Sequence, residues 1–183
     1  MRIVVTGFEP FGGRERNESW EAVKTLTGVE RVLLPVSFSR SGEAVRRIAT
    51  SRPDAVICVG EAGGRSAVSV ERLAVNLMDA RMPDNDGWQP RDVPIRKDGP
   101  AAYFSTLPTR PILENMQEAG IPAEISYTAG TYVCNGVFYA LMDALAQTGA
   151  GTAGGFIHVP TKGMTQEQIA QALRIAVERA AMR

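Results

Sequence analysis

Three stretches of this chain, "RIVVTG" (2–7), "DAVICVG" (54–60) and "GGFIHVP" (154–160), are almost continuously apolar. A strand with one wet face alternates apolar and polar residues, whereas an unbroken apolar run suits a central strand covered on both faces. "RVLLPV" (31–36) and "AEISY" (123–127) extend the series, and helical patterns fall between them. That alternation predicts an α/β fold.

The helices have readable ends. In "TRPILENMQEAG" Thr109 reads as N-cap, Pro111 falls in the first turn, Ile112, Leu113 and Met116 form an apolar stripe, and Gly120 is a stop. Thr165 and Gln168 have capping-box spacing, followed by Ile169, Leu173, Ala176 and Val177 on one face. Further helices are expected over 19–26, 41–51 and 134–147. Residues 79–104, "DARMPDNDGWQPRDVPIRKDGPAAYF", carry Pro, Gly and charge where an element would be due. So long an irregular segment reads as a functional loop bordering the site.

With 183 residues, the chain suits one domain over 1–183 with a well-buried core. Twenty basic residues balance twenty acidic ones, so no overall field draws a nucleic acid or an anionic membrane. The N-terminus lacks the long apolar core and cleavage site of a signal peptide, and no run approaches the ~20 apolar residues of a membrane span. The expectation is a soluble cytoplasmic protein whose two cysteines are reduced.

Cys58, between Ile57 and Val59, reads as inert packing. Cys134 stands where a strand pattern passes into a helix, so that backbone N–H groups and the helix dipole are expected to favour its thiolate. A cysteine at such a junction is, taken alone, more often packing than catalytic. His158, the only histidine, either fills a strand or works at its C-terminal end, where open α/β sheets place ligands. A Cys–His pair needs a third group to orient the ring. In "AVSVERLAVNL" alternation sets Glu71 on one face with Leu73, Val75 and Leu77, where an isolated carboxylate is costly. It either orients the ring, or reaches solvent or pairs with Arg65 or Arg72. The glycine turns "TGFEPFGG" and "VGEAGGR" match no phosphate-binding fingerprint. Phe8 and Phe11, read as exposed loop aromatics, suit the walls of a small-molecule pocket better than core packing.

Together "FEPFGG", "VGEAGGR", "ERLAVNLMDARMPDNDG", "TAGTYVCN" and "GFIHVP" closely resemble the pyroglutamyl peptidase I family of cysteine peptidases, in order through most of the chain. The resemblance implies a single-domain three-layer α/β/α sandwich around a mixed, mostly parallel twisted sheet. It implies hydrolytic removal of N-terminal pyroglutamate from peptides through a thioester, with no metal or organic cofactor. Cys134 would be the nucleophile, His158 its base and Glu71 the group orienting the ring. Phe8, Phe11, Met82, Tyr132, Val133 and the main chain of Glu61 would hold the lactam. Arg81 and the Cys134 N–H would stabilise the oxyanion, and Asn17 would order the first loop. Relatives often form tetramers, which makes a homo-oligomer the expected assembly. The chain departs from the family where Glu61 replaces a common Gln and where "TKGMTQEQ" shortens the segment after Pro160. Set against the peptidase are a non-catalytic pyroglutamyl or small-amide binding protein on the same fold, and a phosphorylase-like enzyme. Retention of Cys134, His158 and Glu71 argues against the first, and the lack of a basic phosphate site against the second.

Overall fold

The computed structural model describes residues 1–149 and 151–182. The chain runs β1 (Ile3–Phe8), α1 (Glu18–Val23), β2 (Glu30–Leu34), α2 (Phe38–Thr50), β3 (Ala55–Ala62), β4 (Val68–Glu71), β5 (Leu73–Val75), β6 (Ala102–Phe104), α3 (Thr109–Glu118), β7 (Ala123–Ser126), α4 (Val133–Thr148), β8 (Ala153–Pro160) and α5 (Gln166–Ala181). Six strands form one sheet in the order β2-β1-β3-β8-β4-β7. β2, β1, β3 and β8 run parallel, β4 lies antiparallel to β8, and β7 is parallel to β4.

The unbroken apolar runs have the cause expected of them, since every residue of β1 and β8 is buried. On one face Ile57, Val59, Ile157 and Val159 meet α1, α3 and α5 through residues such as Val23, Ile112, Ile169 and Leu173. On the other, Val56, Cys58 and Phe156 meet α2 and α4 through Val45, Val137, Phe138 and Leu141. Each such fully buried large side chain contributes about 1.5–3 kcal/mol. The result is a three-layer α/β/α arrangement around a mixed, mostly parallel sheet.

Thr165 and Gln168 make the reciprocal capping box that opens α5, and Gly120 takes the positive φ of 72° that ends α3. Thr109, expected to cap α3, is instead its first residue, preceded by Pro108 with no side-chain cap. The run 67–77 is not one strand. At Arg72 the backbone N–H bonds to Ser126 O (2.7 Å) and the carbonyl accepts from Ser105 N (2.9 Å), which takes the chain off the main sheet. β5 then pairs with β6 in a separate two-stranded ribbon, so the end of the segment expected to be irregular is a strand.

Candidate active site

Sheet register brings two of the candidate residues together. His158 on β8 stands between Gly60 on β3 and Ser69 on β4, while Phe156, two residues earlier and on the same face, stands between Cys58 and Glu71. Glu71 and His158 are therefore diagonal neighbours on the face that α4 covers. Glu71 shares that face with Ser69; Leu73, expected beside it, already belongs to the ribbon. His158 Nδ1 lies 2.7 Å from Glu71 Oε1, and both side chains are buried. A carboxylate only accepts, so Nδ1 carries the hydrogen and Nε2 is the ring nitrogen left to exchange a proton with a reacting group.

Cys134 is the second residue of α4. No side chain caps this helix, and the N–H groups of its first turn are the unsatisfied donors that a helix start leaves open. The sulfur lies over β3, where a Cβ added to Gly60 would come within 2.8 Å of it. Other groups around the sulfur act against the thiolate that this position is expected to favour. Burial first, then the carboxylates of Glu71 and Glu61, push the thiol up to about 12, outweighing Arg65, which acts in the opposite direction. Cys58 is fully buried in the core and also raised to about 12 by burial, as its packing role requires.

Cys134 and His158 line a cavity of about 920 Å³ at the C-terminal ends of β1, β3 and β8. Phe8, Phe11, Met82, Tyr132 and Val133 supply apolar wall, and Asn17, Glu61 and Arg81 add polar groups. Phe8 is not a loop aromatic: it ends β1, is 2% exposed, and packs 6.4 Å from Phe156 while still lining the cavity. Phe11 is partly buried and stacks 6.2 Å from Tyr132. The Tyr132 hydroxyl donates to Pro83 O at 3.0 Å.

Asn17 orders the first loop as a helix cap. Its Oδ1 accepts from Ser19 N and Oγ, and its Nδ2 donates to Glu9 O. The Glu61 carboxylate is occupied within the protein, bonded to the Arg14 guanidinium and accepting from Glu18 N at 2.8 Å. Burial nevertheless raises its pKa.

Three supporting residues were not singled out as site residues in the sequence. Asn135 is fully buried and clasps the ribbon, donating to Val75 O and Leu77 O while accepting from Val75 N. Asn85 donates to Glu9 Oε1 and Pro10 O, fastening the long loop to the first one. Arg65 donates to Glu71 Oε1 at 2.6 Å, so the two sequence readings of Glu71, ring partner and arginine partner, hold at once. Arg72 goes elsewhere, to Ser105 O and over the Phe104 ring. Among the described residues, no cluster of His, Cys, Asp and Glu could hold a metal ion, and no helix is long and apolar enough to cross a membrane.

A family model described as pyroglutamyl peptidase matches residues 1–182. The chain is 46% identical over 195 aligned positions to a pyrrolidone-carboxylate peptidase of Brevibacillus brevis, covering 96% of this chain and 91% of the relative. It is equally identical to the pyrrolidone-carboxylate peptidase of Thermococcus kodakarensis, covering 97% and 95%. Among solved structures, the pyroglutamyl peptidase I of Bacillus amyloliquefaciens superposes with a TM-score of 0.95 at 42% identity, covering 100% of this chain and 95% of that one. A mutant pyrrolidone carboxyl peptidase of Pyrococcus furiosus superposes at 0.92 and 39% identity, covering 99% and 98%.

Proposed function

This chain belongs to the pyroglutamyl peptidase family, and from that premise we propose that it is a cysteine-type hydrolase removing pyroglutamate from the N-terminus of peptides. In this reading residues 1–183 form one catalytic domain, with Cys134 as nucleophile, His158 as base and Glu71 orienting the ring. The observation that carries it is the 2.7 Å contact between His158 Nδ1 and Glu71 Oε1, in a cavity whose wall His158 shares with Cys134.

The chemistry follows from the geometry. The Cys134 proton passes to His158 Nε2 as the sulfur attacks the pyroglutamyl carbonyl. Glu71 stabilises the imidazolium that forms without taking the proton itself. The Cys134 N–H, free at the start of α4, and Arg81 at the cavity wall receive the oxyanion. Each such donor is worth about 3 kcal/mol in the transition state. Collapse breaks the C–N bond as Nε2 protonates the departing amine. His158 next takes a proton from water, whose oxygen attacks the thioester. Pyroglutamate leaves as the acid and the thiol regains its proton.

Phe8, Phe11, Met82, Tyr132 and Val133 offer an uncharged lactam the apolar surface it needs, and the main chain of Glu61 offers polar partners. The Glu61 side chain is occupied by Arg14 and Glu18 N–H, so its charge does not stand free against a neutral ring. Asn17 contributes by holding the loop that carries Phe11. We assign the protein to the cytoplasm, where a reducing environment keeps the working thiol free, and expect a homo-oligomer, which light scattering would reveal.

The test is turnover of a pyroglutamyl amide with a chromogenic leaving group, before and after alkylation by iodoacetamide. Turnover abolished by alkylation supports the peptidase. Saturable binding of pyroglutamyl peptides without any turnover would establish the binding protein instead.

A further inference from the structure

We propose that Arg65 is a positioning residue of the catalytic centre, the fixed cation that partners Glu71 and keeps it aimed at His158 while tying it to the segment that delivers Cys134. The proposal rests on the reading of Cys134, His158 and Glu71 given above. Arg65 lies in the turn between β3 and β4. Its Nη1 donates to Glu71 Oε1 at 2.6 Å, the same oxygen that His158 Nδ1 meets at 2.7 Å. Its Nη2 donates to Thr128 O at 3.0 Å. Thr128 begins the stretch through Ala129 and Tyr132 that forms one cavity wall and leads directly into α4.

The carboxylate needs such a partner. Glu71 is fully buried, and its second oxygen, Oε2, has no hydrogen-bond partner among the described residues. A neutral imidazole alone does not offset the burial of a full negative charge, whereas a guanidinium at contact distance does. With that cation in place, Glu71 can accept a hydrogen bond from the ring without accepting its proton. The planar fork also matters. It presents two donors in fixed geometry, so it locates Oε1 relative to the Thr128 backbone in a way a flexible ammonium cannot. Arg65 borders the cavity, yet both of these donors are spent inside the protein. Its influence therefore falls on the chemical step more than on substrate affinity.

The experiment compares Arg65→Gln, Arg65→Lys, Glu71→Gln and the Arg65→Gln/Glu71→Gln double variant on a pyroglutamyl amide, with thermal melting of each. Arg65→Gln should lower kcat by about 10- to 100-fold, the usual scale for an outer partner of a catalytic group, with KM within about twofold. The acid limb of its kcat profile should move to higher pH, because loss of a positive charge makes the neighbouring groups hold protons more readily. Arg65→Lys should restore the position of the limb but only part of kcat. In the Glu71→Gln background, Arg65→Gln should cost less than about threefold more. If Arg65→Gln does not melt cooperatively, Arg65→Lys carries the test: a several-fold loss of kcat that vanishes beside Glu71→Gln. Unchanged kcat in a folded Arg65 variant, a change in KM alone, or a full additional loss beside Glu71→Gln would each overturn the proposal. A wild-type protein without turnover would instead overturn the functional reading, and this proposal with it.

Discussion

The Cys134 sulfur occupies the space that a side chain on Gly60 would fill. A Cβ at residue 60 would lie 2.8 Å from that sulfur and 2.8 Å from the Phe156 ring. Gly60→Ala should therefore cost about 1–3 kcal/mol of stability through overpacking. Displacing the sulfur should also lower kcat/KM by about tenfold or more. Denaturant unfolding and kinetics on one preparation check both, and wild-type kinetics in this variant would mean that the sulfur does not need its present seat.

Cys134→Ser should abolish turnover with the melting temperature nearly unchanged, because a hydroxyl is a far weaker nucleophile in the same place. Cys58→Ser should keep most activity, since that thiol is sealed in the core away from the cavity. The reverse pattern in folded variants would move the nucleophile to Cys58.

The thiol held near 12 predicts how the free protein reacts with a neutral alkylating agent. Only thiolate reacts, so the rate at Cys134 should climb about tenfold per pH unit through pH 9, without a plateau near neutrality. A plateau below about pH 8 would reveal a thiolate already formed in the empty site.

Phe8 and Phe11 should separate when truncated to Ala. Phe8 is a core residue that also lines the cavity, so its loss should cost about 3–5 kcal/mol as well as activity. Phe11 is only partly buried, so its loss should leave melting nearly intact. It should weaken discrimination, read as kcat/KM, between pyroglutamyl and N-terminal prolyl substrates. A large melting change without a kinetic change at Phe11 would return it to packing.

Much of this was legible in the chain itself. Strands buried on both faces announce themselves by lacking alternation, and the Thr165 and Gln168 box is local chemistry, so both could be read residue by residue. The pairing at Arg72 could not. The apolar residues change face there, from Val68 and Val70 to Leu73 and Val75, but what divides the run is pairing with Ser126 and Ser105, 33 or more residues away. Arg65 was named only as a bland alternative partner for Glu71, because no spacing rule reveals that one carboxylate oxygen serves two donors. The raised thiol of Cys134 escaped for a similar reason. The helix start is visible in sequence, but the burial and the two carboxylates that outweigh it arrive only with the fold.

The antiparallel seam between β4 and β8 makes strand register a catalytic variable. Side chains alternate across a sheet, so sliding β4 by one residue would turn Glu71 away from His158 and into the apolar layer formed by α1, α3 and α5. The same slip would strand a carboxylate in hydrocarbon and strip the imidazole of its partner. A misthreaded molecule would thus be both unstable and inert, and recovered turnover during refolding should serve as a clock for closure of this one seam.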